Sequence, residues 1–133
     1  MFLNELDLDE KRMFLRLADH LVAANGVVEE QEKNLINQYC SEMGLPMNNE
    51  IDPLPMSEII CFFQKRSESV KRVTIMELLG LGYIDGEYDE VEQSMMKSYV
   101  SGIGVSDEVY EKLRKDVEEY IYLVDIIKNH IFE

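Results

Sequence analysis

Basic residues are scarce in this chain. Thirteen lysines and arginines stand against twenty-seven aspartates and glutamates, for a formal charge of −14. A surface this acidic repels phosphate backbones, which argues against nucleic-acid binding. Cysteine is nearly missing as well. Cys40 and Cys61 are the only two, and they lie in apolar helical context without the spacing of a metal site. Buried, reduced thiols are expected at both. No apolar run approaches the ~20 residues that a membrane helix needs, so insertion into a membrane is not expected. Met1 to Lys11 carry four acids and no long apolar core, so no secretory signal is expected and a cytoplasmic location is.

Chemistry-bearing patterns are equally sparse. His20 and His130 stand far apart, and neither belongs to a metal-type cluster. No Ser/His/Asp or Cys/His arrangement has supporting context. Gly80, Gly82 and Gly86 follow no strand and precede no lysine, which excludes a phosphate loop. A non-enzymatic protein is the reading that remains.

What is present is a helical core. Hydrophobic residues make up 46% of the 133 positions, enough for one sizeable domain. Asp7 to Asn25 reads as a first helix, opened by a capping box of Asp7 and Glu10 and closed at Gly26. Its apolar face is Leu8, Phe14, Leu17, Leu21 and Ala24. A second helix runs from Glu29 to Met43 and stops at Gly44. All three prolines fall between Pro46 and Pro55, which marks a connector. A short helix over Met56–Gln64 and a longer one over Val70–Ile84 follow. Gly80 and Gly82 each cost the longer helix ~1 kcal/mol relative to alanine. Close helix contact is the expected compensation. The fifth helix spans Glu90 to Ser101 and ends at Gly102 or Gly104. Ser106 caps a long last helix over about 107–131. No segment alternates convincingly with period two, so the fold expected is an all-α compact bundle of about six helices.

Shifting the sequence by sixty residues aligns two segments without a gap. Leu21 meets Leu81, and Asn25-Gly26 meets Asp85-Gly86. Glu30 and Glu32 meet Glu90 and Glu92. Tyr39 meets Tyr99, and Gly44 meets Gly104. The units, about 14–45 and 74–105, each read as helix, tight glycine turn, helix, glycine stop. Two hairpins that bury each other's apolar faces about a pseudo-twofold axis form the simplest arrangement.

The Asp85-Gly86 turn is not an EF-hand loop. With Gly86 at the sixth position, Leu81 and Tyr83 fall where carboxylates are required. Asp89 and Glu92 are accounted for as a capping box on the fifth helix. Asp85 sits at a helix C-terminus, where negative charge is disfavoured. It either caps a turn through its side chain or belongs to a cation site.

An apolar helix ending in Asp-Gly, then a short turn, then an acid-started helix with Glu seven residues after the Asp, resembles the tellurite-resistance TerB family. The residues are Tyr83 to Glu92, and again Ala23 to Glu32. Phe14 to Leu21 is similar to the family's first helix, and the resemblance covers about Phe14 to Leu113. It implies a duplicated helical domain linked to tellurite and general stress. It also implies clustered acids that bind a divalent metal. In this chain the matching positions are Asp85, Asp89 and Glu92, with Asn25 and Glu32 as the first-unit counterparts. Asn25 departs from the motif's Asp, which weakens a symmetric site. Oxygen donors suit calcium or magnesium better than zinc.

The last helix offers an alternative. Tyr120, Ile121, Tyr122, Leu123, Val124 and Ile127 are more apolar than one core-facing stripe requires. Either the helix crosses the domain and is buried on two sides, or this stretch is an interface for a homodimer or another protein partner. The metal-free alternative is thus an interaction or assembly domain, acting through its acidic surface or its last helix.

Overall fold

The computed structural model describes residues 2–24, 29–45, 52–84 and 90–133, with every side chain there except those of 29–33, 35 and 84. Among the described residues the chain is all-helical, without a strand. The elements are α1 (Leu8–Ala24), α2 (Glu29–Met43), α3 (Met56–Gln64), α4 (Glu68–Ile84), α5 (Glu90–Gly102) and α6 (Asp107–Ile131). A 3-10 turn at Leu3–Glu5 precedes them. They pack as a small helical bundle.

The capping box at the start of α1 is formed as its residues predict. Asp7 Oδ1 accepts from Glu10 N at 2.8 Å, and Glu10 Oε1 accepts from Asp7 N at 2.9 Å. Two donors that a helix start leaves orphaned are thereby satisfied. Glu10 is buried in making this bond. The Arg66 guanidinium approaches both carboxylates, at 3.8 Å from Asp7 and 3.7 Å from Glu10. Beyond this start, Phe14, Leu15, Leu17, Ala18, Leu21 and Val22 are buried. α1 touches α2, α3, α4 and α5, and α4 touches α1, α3, α5 and α6, so these two helices form the middle of the bundle.

The two glycine stops close in the same way. Gly44 has φ 73° and Gly104 has φ 82°, a left-handed conformation that a Cβ disfavours. Gly44 N donates to Ser41 O at 3.2 Å, and Leu45 N to Cys40 O at 2.8 Å. Sixty residues on, Gly104 N donates to Ser101 O at 3.1 Å, and Val105 N to Val100 O at 3.1 Å. Each pair is a Schellman motif, with an apolar residue just past the helix packed at the core. The turns inside the two hairpins, 25–28 and 85–89, lie outside the described residues.

Three local features differ from the expectations. α4 begins two residues earlier than its apolar spacing indicates, because Ser67 Oγ accepts from Val70 N at 3.3 Å and serves as a cap. Gly80 has no neighbour within 4 Å of where a Cβ would stand, so the close contact expected there is absent. The close approach is made instead by Gly102, whose Cβ would meet Ile60 Cγ2 at 2.8 Å. Cys40 is buried, and burial raises its thiol pKa, but Cys61 is exposed. Ile59 and Phe63 take the inward face of the short α3 and leave Cys61 on the outer side.

α1 also anchors the segment that leads into α3. Arg16 Nε donates to Asp52 O at 2.9 Å, and His20 Nε2 bonds Leu54 O at 2.6 Å. His20 is thus a satisfied, half-buried side chain. Lys11 Nζ donates to Met43 O at 3.0 Å and covers an orphan carbonyl at the end of α2.

Candidate functional site

Of the five candidate metal ligands, Asp85, Asp89, Glu92, Asn25 and Glu32, one side chain is placed. Glu92 lies in the first turn of α5 and is 1% exposed. Asp85, Asp89 and Asn25 lie outside the described residues, as does the side chain of Glu32. Among the described residues no group of three or more metal-ligating side chains comes together. Glu92 stands three residues after Asp89 just as Glu10 stands three after Asp7. The capping box of α1 shows how such a glutamate becomes buried in this fold.

The apolar stretch of the last helix is placed more fully. Ser106 caps α6, its Oγ accepting from Val109 N at 3.3 Å. Asp107 and Glu108 then stand at the positive end of the helix dipole. Tyr110 and Val117 are buried, while Val109, Leu113 and Ile121 are packed against the core. α6 lies along α4 and makes a lighter contact with α5. After Ile121, no described residue of α6 packs on the buried core. Of the six interface candidates, Tyr120, Tyr122, Leu123 and Ile127 are exposed, and Ile121 and Val124 are half-buried. Tyr122 reaches 69% exposure, and Ile131 at the end of the same helix 65%. The alternative in which this helix is buried on two sides is therefore wrong. In the C-terminal half of α6, Tyr122, Leu123, Ile127 and Ile131 have their side chains largely in water, while Val124 and Ile126 are half-buried.

Where α6 meets α4, a polar cluster is internally satisfied. Arg114 Nη2 donates to Glu111 Oε2 at 2.7 Å, and Arg114 Nη1 to Glu118 Oε1 at 2.6 Å. Tyr83 Oη donates to the same Glu118 oxygen at 2.8 Å. Burial, followed by the bond to Glu118, raises the Tyr83 pKa. The bond to Glu111 leads in raising that of Arg114. A groove of about 390 Å³ opens beside these residues and Lys97. Its two cations, Lys97 and Arg114, balance its two acids, Glu111 and Glu118, which leaves little drive to bind a charged ligand.

A second groove, of about 520 Å³, was not expected from the sequence. Met13, Leu54, Cys61 and Phe62 line it together with Lys65 and Arg66. Arg66 lies over the Phe62 ring with its guanidinium carbon 4.3 Å from the centroid. Phe62 lies in the last turn of α3 and Arg66 just past the helix end, where its guanidinium covers the ring. The basic cluster of Lys65, Arg66, Lys71 and Arg72 is partly neutralised, Arg66 by Asp7 and Glu10, and Arg72 by Glu68 at 3.1 Å.

No helix among the described residues is long and apolar enough to cross a membrane. Compared with known protein families, curated proteins and solved structures, the chain matches none.

Proposed function

We propose that this chain is a non-enzymatic, TerB-like helical module that acts by docking to protein through the exposed apolar face of α6. The observation that carries this reading is the exposure of Tyr120, Tyr122, Leu123, Ile127 and Ile131 along one helix that is otherwise packed on the bundle. Isolated apolar residues are normal on a surface, but a contiguous helical set of this size marks an interaction site. Helix-face recognition uses anchors at spacings of three and four, as found here. The acidic surface disfavours anionic lipid or nucleic acid as the occupant. In-cell photo-crosslinking tests the reading, with a photoreactive aromatic residue at Tyr120 and a control at the exposed Gln64 on α3. A discrete protein adduct at position 120, lost in Leu123→Glu/Ile127→Glu, supports docking. Equal, featureless labelling at both positions overturns it.

A second reading has one observation in its favour. Glu92, the motif's last acid, is buried in the first turn of α5. Asp85 and Asp89 precede it in the sequence, and these hard oxygen donors suit calcium or magnesium. In this reading Glu92 and Asp85 hold the cation, with Asp89, Asn25 and Glu32 contributing, and the TerB resemblance links the site to tellurite-type stress. Calorimetry with calcium, magnesium, manganese and zinc tests it. Binding below millimolar that weakens in both Asp85→Asn and Glu92→Gln is the expected result. No binding, or binding unchanged in both variants, removes the cation site.

A further inference from the structure

We propose that the partner of α6 is a second copy of this chain, paired antiparallel through Tyr120, Leu123 and Ile127. The inference rests on the docking reading and names its occupant. Position, area and charge each point to it.

Position comes first. Tyr120, Leu123, Ile127 and His130 follow one another at spacings of three, four and three. That is the seam of a two-helix contact. The bundle holds the first half of α6, up to Ile121, and leaves the second half uncovered. Two copies that overlap over this second half in opposite directions keep their bundles at opposite ends of the helix pair. Parallel overlap would set the bundles side by side. At −14 per copy that is the costlier arrangement.

Area is sufficient. Tyr120, Leu123, Ile127 and Ile131 each leave about half or more of their surface in water. Two such stripes withdraw on the order of 800 Å² when they face each other. Flanking residues bring the contact towards the ~1,200 Å² at which specific interfaces begin. A contact at this lower bound is a reversible one.

Charge selects the direction. Glu119 and His130 lie on the same edge of the seam, at its two ends. Setting Leu123 against Ile127 of the second copy brings Tyr120 and Glu119 beside that copy's His130. An acceptor and a ring N–H then meet twice, by symmetry. Parallel pairing would leave each Glu119 at the far end of the seam from either His130, so neither bond forms. Antiparallel helices also align their dipoles favourably.

Sedimentation equilibrium of the full chain over a range of concentrations tests the proposal. The expected result is a monomer–dimer equilibrium that tightens at high salt, because screening removes the repulsion between the acidic bundles. Leu123→Glu/Ile127→Glu should weaken association at least tenfold, with helix content by circular dichroism unchanged. In a Cys61→Ser background, mixed Leu123→Cys and Ile127→Cys chains should form the mixed disulfide in preference to either symmetric one. A monomer at every concentration and salt overturns the proposal. If the Tyr120 crosslink to a different protein persists in that case, only the choice of partner has failed. If the crosslink is also absent, the docking reading has failed with it.

Discussion

Tyr99 hydrogen-bonds Thr74 at 2.7 Å inside the core, at the two positions that Tyr39 and Phe14 fill sixty residues earlier. Thr74 Oγ1 also donates to Lys71 O at 2.8 Å, so the proton between Thr74 and Tyr99 comes from Tyr99. In the first unit the same contact is made by rings, edge to face with centroids 5.5 Å apart. One geometry thus carries two chemistries. The polar version also stacks edge to face on Phe63, with centroids 6.3 Å apart.

Burial raises the Tyr99 pKa well above its ordinary value near 10. The folded state therefore holds the phenol proton more tightly than the unfolded state. That stabilisation is complete below about pH 10 and is lost as pH rises from there towards the folded pKa. Tyr99→Phe is expected to cost about 1 kcal/mol at pH 7, from the lost hydrogen bond. It should also flatten the fall in stability above about pH 10. Urea unfolding of both proteins across that range measures the two effects.

The glycines of α4 and α5 should respond oppositely to alanine. Gly80 is helical with open space where a Cβ would stand, so Gly80→Ala is expected to stabilise by up to ~1 kcal/mol. At Gly102 a Cβ would meet Ile60 Cγ2 at 2.8 Å, a branch atom that cannot swing aside alone. The propensity gain is then offset by strain of about 1–3 kcal/mol. Thermal unfolding of Gly80→Ala, Gly102→Ala and Gly102→Ala/Ile60→Ala should show a gain, a loss, and a double variant better than the sum of its singles.

Gly104 is held by conformation and not by space. Nothing lies within 4 Å of its missing Cβ, yet its φ is 82°. Gly104→Ala is expected to cost about 1–2 kcal/mol through the left-handed backbone alone. Gly104→Asn should recover part of it, because asparagine tolerates that region. Denaturant midpoints of the two variants give the comparison.

Caps should outweigh surface ion pairs. Asp7→Ala removes an acceptor from a reciprocal box, and a loss of about 1 kcal/mol is expected. Arg72→Ala breaks a pair whose side chains are 44% and 53% exposed, so its effect should stay below about 0.5 kcal/mol. Raised salt should narrow the second effect and leave the first nearly unchanged.

Most of the fold was legible because its signals are local. Gly44 and Gly104 end α2 and α5, Ser106 starts α6, and Asp7 with Glu10 starts α1, each through bonds to residues within five positions. What escaped depends on distant partners. The 3-10 turn at Leu3–Glu5 has no periodicity, yet Leu3 and Leu6 are buried and Phe2 N donates to Glu77 at 2.6 Å. Spacing put Cys61 on a buried face and the close helix contact at Gly80 instead of Gly102. Both follow from how α3 and α5 meet other helices. The apolar run at Tyr120–Ile127 was visible, but a run of this kind reads alike in a core and at an interface. Only the point where the bundle stops, after Ile121, separates the two. At the Asp-Gly turn, Glu92 is the one candidate ligand whose side chain the structure places.

The overhang of α6 has an energetic meaning of its own. The ten residues from Tyr122 to Ile131 are helical, yet a helix of fewer than ~12–15 residues is marginal in water without tertiary support. Their order is propagated from the anchored half and weakens turn by turn. Amide protons there should exchange through local openings of small free energy, far below global unfolding. Covering this end therefore does two jobs, removing apolar surface and fixing turns that otherwise fray. The heat-capacity change on binding should consequently exceed what the contact area alone accounts for.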